Sequence, residues 1–445
     1  MKTLFGTDGI RGLAGEFPLD NKTVWIIGRA LANILRRDTE SPVKFVVGRD
    51  TRKSGPEIEL AFASGAESAG AVCISAGIIT TPGVAYLAAT HGFDAGIVIS
   101  ASHNPYKDNG IKIFSPTGKK VSREIEEVIE NAIHENDLSE FSLIEEVSSQ
   151  PGLVEDYEHH FQDDFGSMDL TGKKIVADTA NGAAYSIAPD LFRRLGAEVF
   201  SINDNPDGEN INRDCGSLHI DALQEKVREL GADIGVAFDG DADRALFVDE
   251  NANIVDGDAT LWIMANLLSD SGSLKSKAIV ATVMSNLGLE LALKEKGIAL
   301  RRTDVGDKYV LEELLASDLS VGGEQSGHII FPSRSLVGDG IQTALFLLEA
   351  MTKTGESLSS LTAGLKTYPQ ILVNVRVGRK LPFEEVPEIL NRKAEVEEKL
   401  GESGRLLLRY SGTENLARVM IEGAVQEEIE FLANDLAKVI GEALP

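Results

Sequence analysis

The feature that most constrains the fold is a pattern of apolar strands and polar loops that occurs three times along the chain. Each copy begins with a short apolar strand after a lysine and contains a later apolar strand that runs into a polar loop. The early strands are at 44–47, 174–176 and 277–280, and the later strands are at 95–99, 234–238 and 319–321. Segments between these strands have apolar residues at helical spacing, for example from Val24 to Leu35. This alternation predicts three similar α/β domains with chemistry at the strand ends.

The C-terminal segment has a different pattern. Apolar runs at 371–377, 405–410 and 417–421 predict strands, and apolar residues from Val425 to Ile440 predict a final helix. A chain of 445 residues is too long for a single core. We therefore predict an α/β protein with three similar domains and a smaller α+β C-terminal domain. The predicted boundaries are 1–150, 151–252, 253–367 and 368–445.

Composition limits the partners and the compartment. The net charge of −27 argues against nucleic acid and against anionic membrane, because both would be repelled. The first residues form no signal-peptide core, and no run is long enough to span a membrane. The two cysteines, Cys73 and Cys215, form neither a disulfide framework nor a zinc set. We expect a protein of the reducing cytoplasm.

An acidic loop follows the apolar run at 234–238. Asp239, Asp241 and Asp243 alternate with small residues, and Arg244 closes the loop before the next apolar run. A polar turn between strands is the simplest alternative. An EF-hand is excluded because Arg244 stands where its turn glycine is required and because the flanks are strands. Three carboxylates fill about half of an octahedral shell, so the loop predicts a Mg²⁺ site with room for phosphate.

A second polar loop carries Ser102, followed by His103, Asn104 and Pro105. Most serines are caps or surface hydroxyls, and adjacent Ser-His pairs rarely orient for proton transfer. Asn109-Gly110 predicts a hairpin turn that brings Lys112 back beside Ser102. The local pattern leaves a catalytic serine and an ordinary hydroxyl both open. A metal site together with an exposed serine nevertheless suggests phosphoryl transfer.

Two further loops offer ligand-binding groups. The loop at 322–328 combines glycines with Glu324, Gln325, Ser326 and His328, which suit a sugar ring, although a flexible glycine turn is the alternative. The loop at 409–418 has the composition of a phosphate cradle, although an exposed hairpin tip is the alternative. Its candidate residues are Arg409, Ser411, Gly412, Thr413, Asn415 and Arg418.

Arginines also stand beside tight turns near the N-terminus. Arg11, in the segment 6–12, can serve a reacting phosphate. For the segment 48–52, with Arg49 and Arg52, a structural ion pair is at least as good an interpretation.

Four loops in this order resemble the α-D-phosphohexomutase family, and the resemblance extends over essentially the whole chain. The loops are Ser-Ala-Ser-His-Asn-Pro, Asp-Gly-Asp-Ala-Asp-Arg, Gly-Gly-Glu-Gln-Ser-Gly-His and Arg-Tyr-Ser-Gly-Thr-Glu-Asn. The segments at 5–12, 215–217 and 305–310, with Gln325, are similar to the bacterial branch that acts on glucosamine phosphates. Leu218 stands where that branch has Thr, and Lys308 stands where it has Arg, which keeps the charge but loses bidentate geometry.

The resemblance implies four domains around a central cleft, which carry in turn a phosphoserine loop, a metal loop, a sugar loop and a phosphate loop. Ser102 would be phosphorylated and would share one Mg²⁺ per chain with Asp239, Asp241 and Asp243. Acid–base assistance would come from Arg11, Lys112 or His328, among which the sequence does not choose. The implied substrate-binding residues are Arg244, Lys308, Glu324, Ser326, Arg409, Ser411, Gly412, Thr413, Asn415 and Arg418.

The implied reaction interconverts glucosamine 6-phosphate and glucosamine 1-phosphate through glucosamine 1,6-bisphosphate, which also serves as activator. The product would feed UDP-N-acetylglucosamine and cell-wall precursor synthesis. Besides the sugar phosphate, the family resemblance implies a homodimer through the first domain. The alternatives are a mutase specific for glucose or mannose, a metal-dependent phosphatase using the same serine, and a non-catalytic sugar-phosphate sensor.

Overall fold

The computed structural model of the chain describes residues 3–36, 41–411 and 415–445. The chain divides into two compact units, Met1–Thr282 with Thr303–Ala363 and Val283–Arg302 with Gly364–Pro445. Two sheets belong entirely to the first unit, and one belongs entirely to the second. In the described ranges, no helix is both long enough and apolar enough to cross a bilayer.

The first sheet has the strand order β1-β2-β6-β5-β3-β4. Its region consists of β1 (Phe5–Gly6), β2 (Gly9–Leu13), α1 (Asn21–Leu35), β3 (Lys44–Arg49), α2 (Gly55–Ser68), β4 (Val72–Ile78), α3 (Thr81–Thr90), β5 (Ala95–Ile99), β6 (Asp108–Phe114) and α4 (Arg123–Glu135). Helix α1 begins where Asp20 accepts hydrogen bonds from the backbone N–H groups of Lys22 and Thr23. Its apolar face is buried in the core of this region, as the spacing predicts.

The second sheet has the order β11-β10-β9-β7-β8. Its region consists of α5 (Leu153–Phe165), β7 (Lys174–Asp178), α6 (Ile187–Arg194), β8 (Glu198–Ile202), α7 (Asp221–Leu230), β9 (Ile234–Phe238), β10 (Ala245–Asp249) and β11 (Ile254–Val255). All five residues of β9 are buried, as expected for an inner strand of a sheet that is covered on both faces.

The third region consists of α8 (Gly257–Asp270), β12 (Ala278–Thr282), α9 (Leu287–Glu295), β13 (Ala299–Thr303), α10 (Asp307–Ala316), β14 (Gly322–Gly323), β15 (Ile329–Ile330), α11 (Gly340–Thr354) and α12 (Leu358–Leu361). Helix α9 and most of β13 belong to the second unit. The same unit contains β16 (Gln370–Arg376), α13 (Pro387–Leu400), β17 (Gly404–Tyr410), β18 (Leu416–Gly423) and α14 (Gln426–Ala443), with the strands in the order β16-β18-β17.

The three α/β regions place their polar loops in the same way. In each, a strand that pairs in parallel is followed by a loop and then by an antiparallel neighbour. The parallel pairs are β3–β5, β7–β9 and β12–β14, and the antiparallel pairs are β5–β6, β9–β10 and β14–β15. The threefold repeat predicted from the sequence is therefore a repeated strand–loop–strand unit that carries the candidate site residues.

Two local predictions are wrong. The strand predicted at 319–321 lies instead at Gly322–Gly323, where the two glycines are so close to β12 and β15 that no side chain would fit. The Asn109-Gly110 turn is absent because both residues lie inside β6. Gly110 is needed for close packing: a Cβ there would lie 2.6 Å from the carbonyl oxygen of Ser100. Lys112 still reaches the site, because β6 pairs antiparallel to β5.

Candidate active site

Ser102 lies in the loop between β5 and β6 and is fully buried, so the exposed position expected from the sequence is wrong. Its φ of 52° is in the left-handed region that non-glycine residues seldom occupy. The Oγ of Ser102 donates to Oδ2 of Asp239 at 2.6 Å, and Nδ1 of the adjacent His103 lies 3.3 Å from the same Oγ. The hydroxyl is thus directed to the acidic loop of the second region.

The three aspartates of the acidic loop form a buried cluster. One oxygen from each of Asp239, Asp241 and Asp243 lies within 4.8 Å of the others. Burial, and then the charges of Asp243 and Asp241, raise the pKa of Asp239 well above its usual value. Oδ1 of Asp241 and Oδ1 of Asp243 accept no hydrogen bond from the residues that the structure describes. Buried carboxylate oxygens that accept no hydrogen bond are suitable ligands for a divalent cation. The structure thus brings together the three residues that the sequence predicts as metal ligands.

Lys112 contacts this cluster directly. Its Nζ lies 2.8 Å from Oδ2 of Asp241, 3.1 Å from Oδ2 of Asp243 and 2.9 Å from Oδ2 of Asp8. Burial lowers the pKa of Lys112, but the three carboxylates outweigh it and raise the pKa well above the usual value. Lys112 is therefore a buried ammonium group in direct contact with two of the candidate metal ligands.

Arg11 and His328, the other two acid–base candidates, are connected to Lys112 by a network of ionic contacts. The network includes Lys120 and Asp307, which the sequence analysis did not identify. Arg11 donates to Asp8 at 2.5 Å, and Nζ of Lys120 lies 2.7 Å from Asp8 and 2.6 Å from Asp307. Nε2 of His328 lies 3.9 Å from Oδ2 of Asp307. Burial raises the pKa of Asp8, but the surrounding cations hold it well below its usual range. The only feature of the sequence that indicates this network is the acidic residue Asp8, three positions before Arg11.

The sugar-loop candidates lie near the same cluster. Arg244 is partly buried, and its Nε has no hydrogen-bond partner within the described ranges. Glu324 accepts a hydrogen bond from the backbone N–H of Gly306 at 3.1 Å, and Ser326 donates to Glu324 at 3.4 Å. Lys308 is exposed in the first turn of α10. Of these side chains, Arg244 adjoins the aspartate cluster, with its Nε 3.8 Å from Oδ1 of Asp243, and together they offer donors and acceptors of the kind that polyol recognition requires.

The phosphate-loop candidates lie in the second unit. Arg409 on β17 is directly opposite Arg418 on β18, and Nε of Arg418 is buried without a described hydrogen-bond partner. Ser411 is buried, and its carbonyl oxygen accepts a hydrogen bond from Nζ of Lys380 at 2.5 Å. Lys380 is a further cation that the motif did not include. Asn415 is exposed, and Gly412 and Thr413 lie outside the described residues.

Comparison with known protein families finds matches along most of the chain. Four models of the phosphoglucomutase/phosphomannomutase family match it in order: the alpha/beta/alpha domains I, II and III at 2–140, 155–253 and 256–368, and the C-terminal domain at 372–439. The chain belongs to this phosphohexomutase family. The resemblance inferred from the four loops and the four-domain α/β architecture are confirmed.

Within the family, similar curated proteins are named phosphoglucosamine mutase. The protein of Caldicellulosiruptor saccharolyticus is 49% identical over 99% of both chains. That of Koribacter versatilis is 46% identical over 100% of this chain and 98% of its own. Among solved structures, a phosphoglucomutase/phosphomannomutase family protein from Burkholderia thailandensis is 26% identical, with a TM-score of 0.81 over 99% of this chain and 97% of its own. The N-acetylphosphoglucosamine mutase of Aspergillus fumigatus, solved with GlcNAc-6P and magnesium, shares the fold at 20% identity, with a TM-score of 0.65 over 99% and 96%.

Proposed function

We propose that the chain is a phosphoglucosamine mutase that interconverts glucosamine 6-phosphate and glucosamine 1-phosphate. The observation that carries the proposal is the 2.6 Å hydrogen bond from Ser102 to Asp239 within a buried aspartate cluster. Similar full-length relatives bearing that name support the choice of sugar. The product would feed UDP-N-acetylglucosamine and cell-wall precursor synthesis in the cytoplasm.

In the proposed cycle, Ser102 carries a phosphoryl group on Oγ. The bond from Oγ to phosphorus breaks as O1 of glucosamine 6-phosphate takes the phosphoryl group, and the proton lost from O1 ends on Oγ, which gives glucosamine 1,6-bisphosphate and a free Ser102 hydroxyl. The bisphosphate turns over, its 6-phosphoryl group returns to Oγ of Ser102, and glucosamine 1-phosphate leaves. Both transfers use one carrier, so the number of phosphoryl groups on enzyme and sugar is conserved.

Each step of this cycle is assigned to particular residues of the site. Asp239, Asp241 and Asp243 would hold one Mg²⁺ next to Ser102. When bound, this cation neutralises charge on the transferring phosphoryl group. Lys112 and Arg244 add positive charge at the same place, and Arg11 and His328 remain candidates for proton transfer. Glu324 and Ser326 would bind sugar hydroxyls, while Lys308 and the 409–418 loop would hold phosphate.

A direct assay tests the proposal. Purified protein with Mg²⁺ and a trace of glucosamine 1,6-bisphosphate is given glucosamine, glucose and mannose phosphates in parallel, and kcat/KM is compared. We expect the highest kcat/KM for the glucosamine phosphates. A preference for glucose or mannose phosphate would replace the amino-sugar assignment, and release of inorganic phosphate without isomerisation would support a phosphatase instead.

A further inference from the structure

The peptide groups around Ser102 are held on both sides. The backbone N–H of Ser102 donates to Oγ of Ser100 at 2.9 Å. The carbonyl oxygen of Ser102 accepts two hydrogen bonds, from Nη2 of Arg52 at 2.9 Å and from Nδ2 of Asn212 at 2.8 Å. A residue with positive φ is stable in that conformation only when its surroundings fix it. These contacts provide that constraint.

Arg52 holds the rest of the loop as well. Its guanidinium group is fully buried and donates to the carbonyl oxygens of Asn104 at 2.9 Å and Pro105 at 2.7 Å. Its Nε pairs with Oδ2 of Asp50 at 2.9 Å, and the same oxygen accepts from Oγ of Ser100 at 2.6 Å. A planar fork with five N–H donors suits this set of acceptors, which a lysine cannot reproduce.

Asn212 comes from the second region of the chain, between β8 and α7. Its Nδ2 donates to the carbonyl oxygen of Asn104 at 3.0 Å as well as to that of Ser102. The acidic loop lies against the same contact: a Cβ on Gly240 would be 2.6 Å from the Ser102 carbonyl oxygen and 2.9 Å from Nδ2 of Asn212. The backbone of the acidic loop at Gly240 is therefore packed tightly against the Ser102 carbonyl group and the Asn212 side chain.

We propose that Arg52 and Asn212 are positioning residues for phosphoryl transfer. They hold the Ser102 peptide in the conformation that aims Oγ at the aspartate cluster. Because Asn212 belongs to the second region, the reactive orientation of Ser102 depends on the contact between the first and second regions. The inference rests on the proposed mutase function, but the loop geometry on which it depends is measurable without turnover.

Asn212 is the better residue for a test, because Arg52 forms a buried ion pair whose loss endangers folding. Three variants are compared: Asn212→Asp, which tolerates the left-handed φ of 56° at this position, Asn212→Ala, which also strains the backbone there, and the control Asn210→Ala. Among the described residues, the hydrogen bonds of the Asn210 side chain stay within its own loop, to Asn205 and Asp207. We expect Asn212→Ala to lower kcat about 10- to 100-fold with KM changed less than about twofold. Asn212→Asp should lower kcat further, because a carboxylate oxygen then faces two carbonyl oxygens.

Hydrogen exchange gives the second measurement. Peptides covering 100–105 should exchange faster in both Asn212 variants and at the wild-type rate in Asn210→Ala. Wild-type kcat in Asn212→Asp, or unchanged exchange at 100–105, would overturn the positioning role. Absence of mutase activity in the wild type would instead refute the proposed function, while the exchange comparison would still decide whether Asn212 fixes the loop.

Discussion

The hydroxyl of Ser102 donates to Asp239 at 2.6 Å, although 137 positions separate the two residues in the chain. Each stands at the end of a buried strand, Ser102 after β5 and Asp239 after β9. The contact therefore joins two copies of the same strand–loop–strand unit. The Ser102 hydroxyl is thereby hydrogen-bonded to the carboxylate cluster that is the candidate metal site.

Removal of one carboxylate should weaken metal binding. Asp241→Asn replaces a buried oxygen ligand by an amide, and we expect the Mg²⁺ concentration for half-maximal activity to rise about tenfold or more. Asp214→Asn is the matched control, because Asp214 is exposed and its φ of 53° is well tolerated by asparagine. Activity is titrated with Mg²⁺ after treatment with EDTA. An unchanged Mg²⁺ dependence in Asp241→Asn would exclude this residue as a ligand.

Lys112 should act as a counterion as well as a catalytic group. In Lys112→Met the carboxylates of Asp8, Asp241 and Asp243 lose their shared ammonium, and breaking such a buried pair costs about 3–5 kcal/mol. We expect kcat to fall about 100-fold or more. We also expect Mg²⁺ to raise the Tm of this variant more than that of the wild type, because the metal then supplies the missing positive charge.

Lys107→Met is the control for this charge effect, because Lys107 is an exposed lysine in the loop between β5 and β6. It should keep wild-type kcat and the wild-type response of Tm to Mg²⁺. Equal Mg²⁺-induced Tm shifts in Lys112→Met and the wild type would contradict the counterion role.

Most of the architecture could be predicted from the sequence, because its elements depend on local apolar patterns. Strands β5, β9 and β10 and helix α1 lie where apolar runs or helical spacing indicate them. Strand β14 was missed because it consists of two glycines, which carry no apolar signal. The turn predicted at Asn109-Gly110 was also wrong. The sequence does not distinguish a glycine that close packing requires from a glycine that a turn requires.

The loops of the site could be predicted, but their surroundings could not. Asp239, Asp241 and Asp243 are close in sequence, so their clustering is nearly a local property. The partners of these loops, by contrast, are remote: Thr81 donates to Asp241 across 160 positions, and Lys120 reaches Asp307 across 187. Only the packing of different sheets creates such contacts, and no local pattern of residues records them. The roles assigned to the site residues and the four domain boundaries remain predictions.

Asp339 should make stability depend on pH. This residue caps α11 and accepts a hydrogen bond from Tyr157 at 2.8 Å, and burial raises its pKa from 3.8 to about 6. A carboxyl group whose pKa is raised on folding binds its proton more tightly in the folded state. Its contribution to stability is therefore present at low pH, declines as the pH rises above about 4, and is lost above about 6.

Asp339→Asn removes this titration and keeps a capping side chain. We expect the free energy of unfolding of the variant minus that of the wild type to be about 2 kcal/mol larger at pH 7.5 than at pH 4, which means that the variant gains stability relative to the wild type as the pH rises. Urea unfolding at the two pH values measures the difference. Tyr157→Phe should have the opposite effect and steepen the pH dependence, because it removes a hydrogen bond that stabilises the carboxylate. A difference between Asp339→Asn and the wild type that is the same at both pH values would contradict this account.

The most direct test of the central claim follows the phosphoryl group on Ser102. The protein is incubated with glucosamine 1,6-bisphosphate labelled with ³²P, freed of sugar and mixed with unlabelled glucosamine 6-phosphate in a rapid-quench instrument. We expect one phosphoryl group per chain, mapped to Ser102 by peptide mass, which passes to the sugar as fast as the enzyme turns over. Ser102→Ala should fold with the wild-type Tm, take up no label and lose nearly all mutase activity. Wild-type turnover in Ser102→Ala, or a labelled serine that transfers more slowly than kcat, would contradict the assignment of Ser102 as the phosphoryl carrier.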